Sequence, residues 1–123
     1  MIRKLLTATL LLSLTAHAQD WSQVEVTAEK VRDGIYMLKG RGGNIGVSVG
    51  EDGVFIIDDQ YAPLSDKIMA AIAELSEDKV RFVINTHWHG DHTGGNEAFG
   101  KAGAVIVAHD NIYERMSTGD EDS

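Results

Sequence analysis

The residues best equipped for chemistry are His87, His89, Asp91 and His92, held within the run His87-Trp88-His89-Gly90-Asp91-His92. Three of the chain's five histidines fall in these six positions. Imidazole nitrogens and a carboxylate oxygen make a metal-ligand set. The chain has no cysteine, so thiolate ligation is excluded. Such nitrogen and oxygen donors favour one or two zinc ions, with iron and manganese as alternatives. In extended backbone, side chains at i and i+2 point the same way. His87 and His89 therefore converge on one point while Trp88 turns into the protein. Gly90 permits a sharp turn, after which Asp91 and His92 face a second point nearby. The pattern suits a dinuclear centre.

The elements on either side must hold that run in place. Val80 to Asn85 is apolar and β-rich and reads as a strand delivering the histidines; Thr93-Gly94-Gly95-Asn96 lets the chain turn away. Upstream, Val24, Val26 and Ala28 alternate with polar residues as a half-exposed strand. Extended segments follow over 31–38 and 45–49, and Val54 to Ile57 is an apolar strand ending in Asp58-Asp59. The turns between them are marked by Asp33-Gly34, the glycine run from Gly40 to Gly43, and Asp52-Gly53. Pro63 opens a helix whose apolar stripe is Leu64, Ile68, Met69, Ile72 and Leu75. A second helix is expected from the 91–96 region to Gly100 or Gly103. Ala104 to Ala108 is a further strand, and Asn111 to Met116 a helical turn. Strands alternating with helices over 54–108 predict an α/β unit with strands buried on both faces. One domain over 19–116 is expected, followed by an acidic tail, 117–123, without apolar side chains.

Residues 1–18 have the form of a secretory signal. Arg3 and Lys4 precede the apolar run Leu5 to Leu14, and Ala16-His17-Ala18 gives a small-x-small cleavage pattern. The run is far short of the ~20 residues needed to span a bilayer, so no stable anchor is expected after cleavage. A periplasmic or secreted location follows. The net charge is −8, and losing Arg3 and Lys4 with the signal takes it to −10. That acidity disfavours nucleic acid as a partner.

The run Thr86-His87-Trp88-His89-Gly90-Asp91-His92-Thr93-Gly94-Gly95-Asn96 resembles the metal-binding signature of the metallo-β-lactamase superfamily, H-x-H-x-D-H followed by Gly-Gly. Gly43-Asn44-Ile45, Ile57-Asp58-Asp59 and Val107-Ala108-His109 are similar to strands on either side of that signature. The resemblance extends over roughly 24–116. It implies the N-terminal half of an αβ/βα sandwich, a mixed sheet with helices on one face, and an exported metallohydrolase. The reaction implied is hydrolysis of an ester, thioester or amide (lactam) bond by a metal-bound hydroxide. By position, His87 and His89 would bind the first metal, and Asp91 and His92 the second. Asp91 would also steer the nucleophile's proton. Asp58 would be a carboxylate that orients metal-binding imidazoles. A histidine after Asp91 is similar to the glyoxalase-II-like and lactonase-like branches and to one lactamase subclass.

Family members are much longer, and the resemblance implies that their second half supplies the remaining ligands and covers the open side of the sheet. Two readings follow: a shortened zinc hydrolase, or a non-catalytic metal-binding fragment that self-associates through the uncovered face. Two other features carry no ligand role. The segment Gly40 to Gly46 has Ile45 where a dinucleotide fingerprint needs glycine, and it leads into a strand. His109 lies beyond the cluster, where a structural or helix-start role is expected.

Overall fold

The structure, a computed structural model, describes residues 19–118. The expected signal at 1–18 and the tail positions 119–123 lie outside them. Four strands come first: β1 (Thr27–Arg32), β2 (Ile35–Lys39), β3 (Ile45–Gly50) and β4 (Gly53–Ile57). Helix α1 (Ser65–Ala73) crosses to β5 (Val80–Ile84). The short helices α2 (Gly90–Thr93) and α3 (Asn96–Lys101) lead to β6 (Val105–Val107), and α4 (Asp110–Thr118) closes the described chain. The six strands lie in one sheet in chain order. β1 to β4 pair antiparallel as tight turns allow, whereas β5 and β6 join in parallel through helical crossovers.

Alternation along the strands decides which residues form the core. Leu38, Ile45, Val47, Val54, Ile56 and Val83 are fully or nearly fully buried on one face of the sheet. Against them pack Leu64, Ile68 and Ile72, spaced four apart on one stripe at and within α1, and Phe99 of α3. Pro63 sits in the short 3-10 turn Ala62–Leu64 that starts α1. This is the mixed sheet with helices that the sequence predicts.

The expectation that the later strands are buried on both faces fails. Paired neighbours Phe55, Phe82 and Val105 form one row of the opposite face, and Ile57, Ile84 and Val107 form the next. Ile84 is 39% exposed and Val105 54%. The helical core packs on the other side, and among the described residues nothing covers this one.

The N-terminal segment also departs from expectation. Val24 and Val26 are not in a strand; a 3-10 turn over Trp21–Gln23 comes first, and β1 begins at Thr27. The cause is the Lys67 ammonium of α1, which donates to the carbonyls of Trp21 (3.1 Å), Ser22 (2.8 Å) and Val24 (2.6 Å). Backbone acceptors satisfied in this way do not need a sheet partner. At the other end, α4 continues to Thr118, where the Ser117 and Thr118 hydroxyls donate back to the carbonyls of Tyr113 and Glu114.

Candidate metal centre

The histidine run lies where the parallel strands end. The Asp58 N–H donates to the Ile84 carbonyl and the Asn85 N–H to the Val107 carbonyl, so β4, β5 and β6 finish side by side. Asn85, 5% exposed, accepts a side-chain hydrogen bond from Asn96, which ties the start of the run to α3. His89 is still extended (φ −61°, ψ 145°) when its carbonyl accepts the first N–H bonds of α2, from His92 and Thr93. The Thr93 hydroxyl donates to the carbonyls of Trp88 and His89 and completes the turn.

These constraints bring the expected donors together. The ring centroids of His87 and His89 are 4.8 Å apart, and those of His87 and His92 are 3.9 Å apart. His92 Nε2 is 3.4 Å from Asp91 Oδ2. His87, His89 and Asp91 each present a donor atom within 4.8 Å of the others, and so do Asp58, His87 and His92. His87 is common to both groups and sits at the centre. Trp88 is half-buried and does not turn away from all the donors as expected: its ring centroid is 4.9 Å from that of His89 and 6.5 Å from that of His87, with the Arg115 guanidinium of α4 at 4.2 Å.

Asp58 is 4% exposed and touches the run at three points. Its Oδ1 accepts the Thr86 N–H (2.8 Å), and its Oδ2 accepts the Thr86 hydroxyl (2.8 Å). The same Oδ2 is 2.7 Å from His92 Nδ1. That contact occupies one ring nitrogen and leaves Nε2 for a metal, the arrangement by which a carboxylate fixes a ligating histidine. His109 instead heads α4, where its Nδ1 accepts the Asn111 N–H at 3.2 Å.

Three supports escape the sequence reading. The first is Asp59, fully buried, whose Oδ1 accepts the Gly95 N–H at 2.8 Å. Burial pushes its carboxyl up to about 7, the Gly95 N–H works against that rise, and the Asp58 charge adds to it. The second is Gln60, buried, whose side-chain amide donates to the Gly43 carbonyl and holds the β2–β3 loop over the site. The third is that loop itself. A Cβ at Gly43 would lie 2.5 Å from His92 Cε1, and one at Gly42 would lie 2.9 Å from Asp91 Cβ. Only the glycine spacing hinted at this, and it reads equally well as a flexible turn. Asp58 (φ 63°) and Gln60 (φ 59°) both adopt the left-handed conformation, which turns Asp58 toward the histidines and Asp59 inward.

The donor set fits zinc. It combines imidazole nitrogens with a carboxylate and has no thiolate, and Asp58 already holds one of the rings from behind.

The family model for the metallo-beta-lactamase superfamily matches residues 38–123, and the chain belongs to that superfamily. Among curated protein sequences none matches it. Several solved structures share the fold. The chain is 26% identical to BJP-1, a subclass B3 metallo-beta-lactamase of Bradyrhizobium japonicum, with a TM-score of 0.68 over 77% of this chain and 37% of that one. It is 25% identical to MEM-A1, a subclass B3 metallo-beta-lactamase from a soil metagenome library, with a TM-score of 0.68 over 78% of this chain and 37% of that one. With FIM-1 from Pseudomonas aeruginosa, solved in a mono-zinc form, the identity is 20% and the TM-score 0.69, over 77% of this chain and 46% of that one. The chain thus spans less than half the length of each. Its six-stranded sheet and helices correspond to the N-terminal part of the superfamily's sandwich.

Proposed function

We propose that this chain is the metal-binding portion of an exported, zinc-dependent hydrolase acting on an ester, thioester or amide (lactam) bond of a small molecule. The observation that carries the reading is the convergence of His87, His89, Asp91 and His92 at the strand ends. His87 and His89 would hold one ion, and Asp91 and His92 the other. Bound zinc would supply Lewis-acid activation of water and of the scissile carbonyl. The chain's own residues orient and shield. Asp58 fixes the His92 ring, and the loop at Gly42 and Gly43 packs against Asp91 and His92; the Asp91 carboxylate would steer the nucleophile's proton. The apolar leader and the acidic surface support export and argue against nucleic acid as a partner. No described helix is long and apolar enough to cross a membrane.

Residues 19–123 expressed alone offer two protein ligands per ion, against the three usual for a catalytic zinc, so weak zinc binding and negligible hydrolysis of β-lactam or ester substrates are expected of that polypeptide. Competition with a chromophoric chelator measures the affinity. His87→Ala combined with His89→Ala should remove one of the two ions and leave the other. An unchanged stoichiometry and affinity after this double change would refute the assignment, and sub-micromolar affinity in a monomer would refute the count of two ligands per ion.

A second reading is favoured by the open face of Ile57, Ile84, Val105 and Val107. In it, the protein is a non-catalytic metal-binding module that self-associates through those strands. Sedimentation separates the two, because a well-behaved monomer at high concentration excludes self-association.

A further inference from the structure

Thr86 stands immediately before the histidine run and makes contacts that the zinc reading leaves unused. Its hydroxyl lies between Asp58 Oδ2 at 2.8 Å and His87 Nδ1 at 2.9 Å. A hydroxyl has one proton to give and lone pairs to receive another. The carboxylate is the stronger acceptor, since hydrogen bonds to an ionised group are shorter and stronger than neutral ones. The Thr86 proton therefore goes to Asp58. The contact with His87 then requires that the ring supply its own hydrogen, from Nδ1. That tautomer leaves His87 Nε2 bare.

We infer that the Thr86 hydroxyl relays the Asp58 carboxylate to His87, so that one buried carboxylate fixes the ring tautomers of two imidazoles, His92 directly and His87 through one oxygen. Thr86 is thus a positioning residue. The Thr86 N–H to Asp58 Oδ1 bond, 2.8 Å, makes the relay rigid, because it fixes the carboxylate plane against the backbone from which the hydroxyl projects. Asp58 holds a left-handed backbone conformation (φ 63°) that aims its carboxylate at both partners. Under the assignment above, His87 and His92 serve different ions, so the relay links the two metal positions before either is filled.

This inference rests on the zinc reading for its consequence but not for its test, because the tautomer can be read without metal. Long-range nitrogen–proton correlation spectra of the metal-free protein, with the imidazoles neutral, should show His87 protonated at Nδ1 and His92 likewise. In Thr86→Val, which keeps the shape and the backbone N–H, His87 should shift toward the other tautomer while His92 keeps its own. Thr86→Ser should restore the wild-type pattern. Zinc affinity should fall about tenfold in the valine variant and recover in the serine variant, the size expected for loss of a group behind a ligand. A wild-type His87 protonated at Nε2 overturns the relay even if no variant folds. So does a valine variant with unchanged spectrum and affinity, or a serine variant as impaired as the valine. If the protein binds no zinc but the spectra behave as stated, the relay stands and the metal reading falls.

Discussion

Gly43 lies against the edge of the His92 imidazole, so close that a Cβ at position 43 would stand 2.5 Å from His92 Cε1 and 2.8 Å from Nε2. No rotamer of a larger residue relieves that overlap, because the Cβ itself is the obstacle. Gly43→Ala should therefore push the His92 ring away from Asp91 and lower zinc affinity on the order of tenfold, the scale of a disturbed ligand support. Competition titration measures the loss, and far-ultraviolet circular dichroism should show the sheet intact. Unchanged affinity would mean that His92 is not a ligand.

The Asp59 carboxyl, at about 7 in the folded protein, gives stability a particular pH dependence. Between roughly pH 4 and pH 7 the folded state keeps a proton that the unfolded chain releases, so unfolding free energy should fall as pH rises through that window. Above it the loss levels off, at an upper bound of about 4 kcal/mol for a shift of this size. Asp59→Asn cannot ionise and should flatten this component. Denaturant titrations of both proteins at acid and neutral pH measure it, and parallel slopes would show that Asp59 ionises normally.

Arg115 of α4 covers the Trp88 indole at 4.2 Å, and the indole in turn lies beside His89, so α4 braces the run. Arg115→Ala should cost about 0.5–1 kcal/mol, as partly exposed cation–π contacts do. It should also alter the Trp88 emission, which a Trp21→Phe background isolates. An unaltered spectrum would detach α4 from the run.

Ile84 and Val107 are paired neighbours on the uncovered face. Replacing both with lysine should leave the helical core untouched and abolish any self-association seen by sedimentation, since an ammonium group buried unpaired in an apolar contact loses its hydration. Association that persists would place the contact elsewhere.

Much of this molecule is legible in its sequence because the relevant signals are local. The i, i+2 spacing of His87 and His89 and the glycine after them are enough to anticipate convergence. The Leu64, Ile68, Ile72 stripe is enough for α1. Other features depend on what lies across the chain. Nothing near Val24 reveals that Lys67 satisfies the neighbouring carbonyls, so alternation there reads as a strand. Strands alternating with helices over 54–108 predict burial of both faces, but the alternation is the same whether one face or two is covered. Asp59 and Gln60 look like ordinary turn residues beside Asp58. Their roles come from the reversal of the backbone on either side of Asp59, and single-residue propensities carry no record of it.

That reversal has a thermodynamic consequence. Two non-glycine residues in left-handed geometry, at Asp58 and Gln60, each carry a cost of order 1–3 kcal/mol by the usual scale. The fold meets this cost whether or not an ion is present, so the loop arrives at metal binding already preorganised, with little ordering entropy left to lose. Heat tolerance and metal uptake are then opposed at the same short segment. Substitutions that relax positions 58 to 60 should raise the melting temperature of the apoprotein and weaken its hold on zinc.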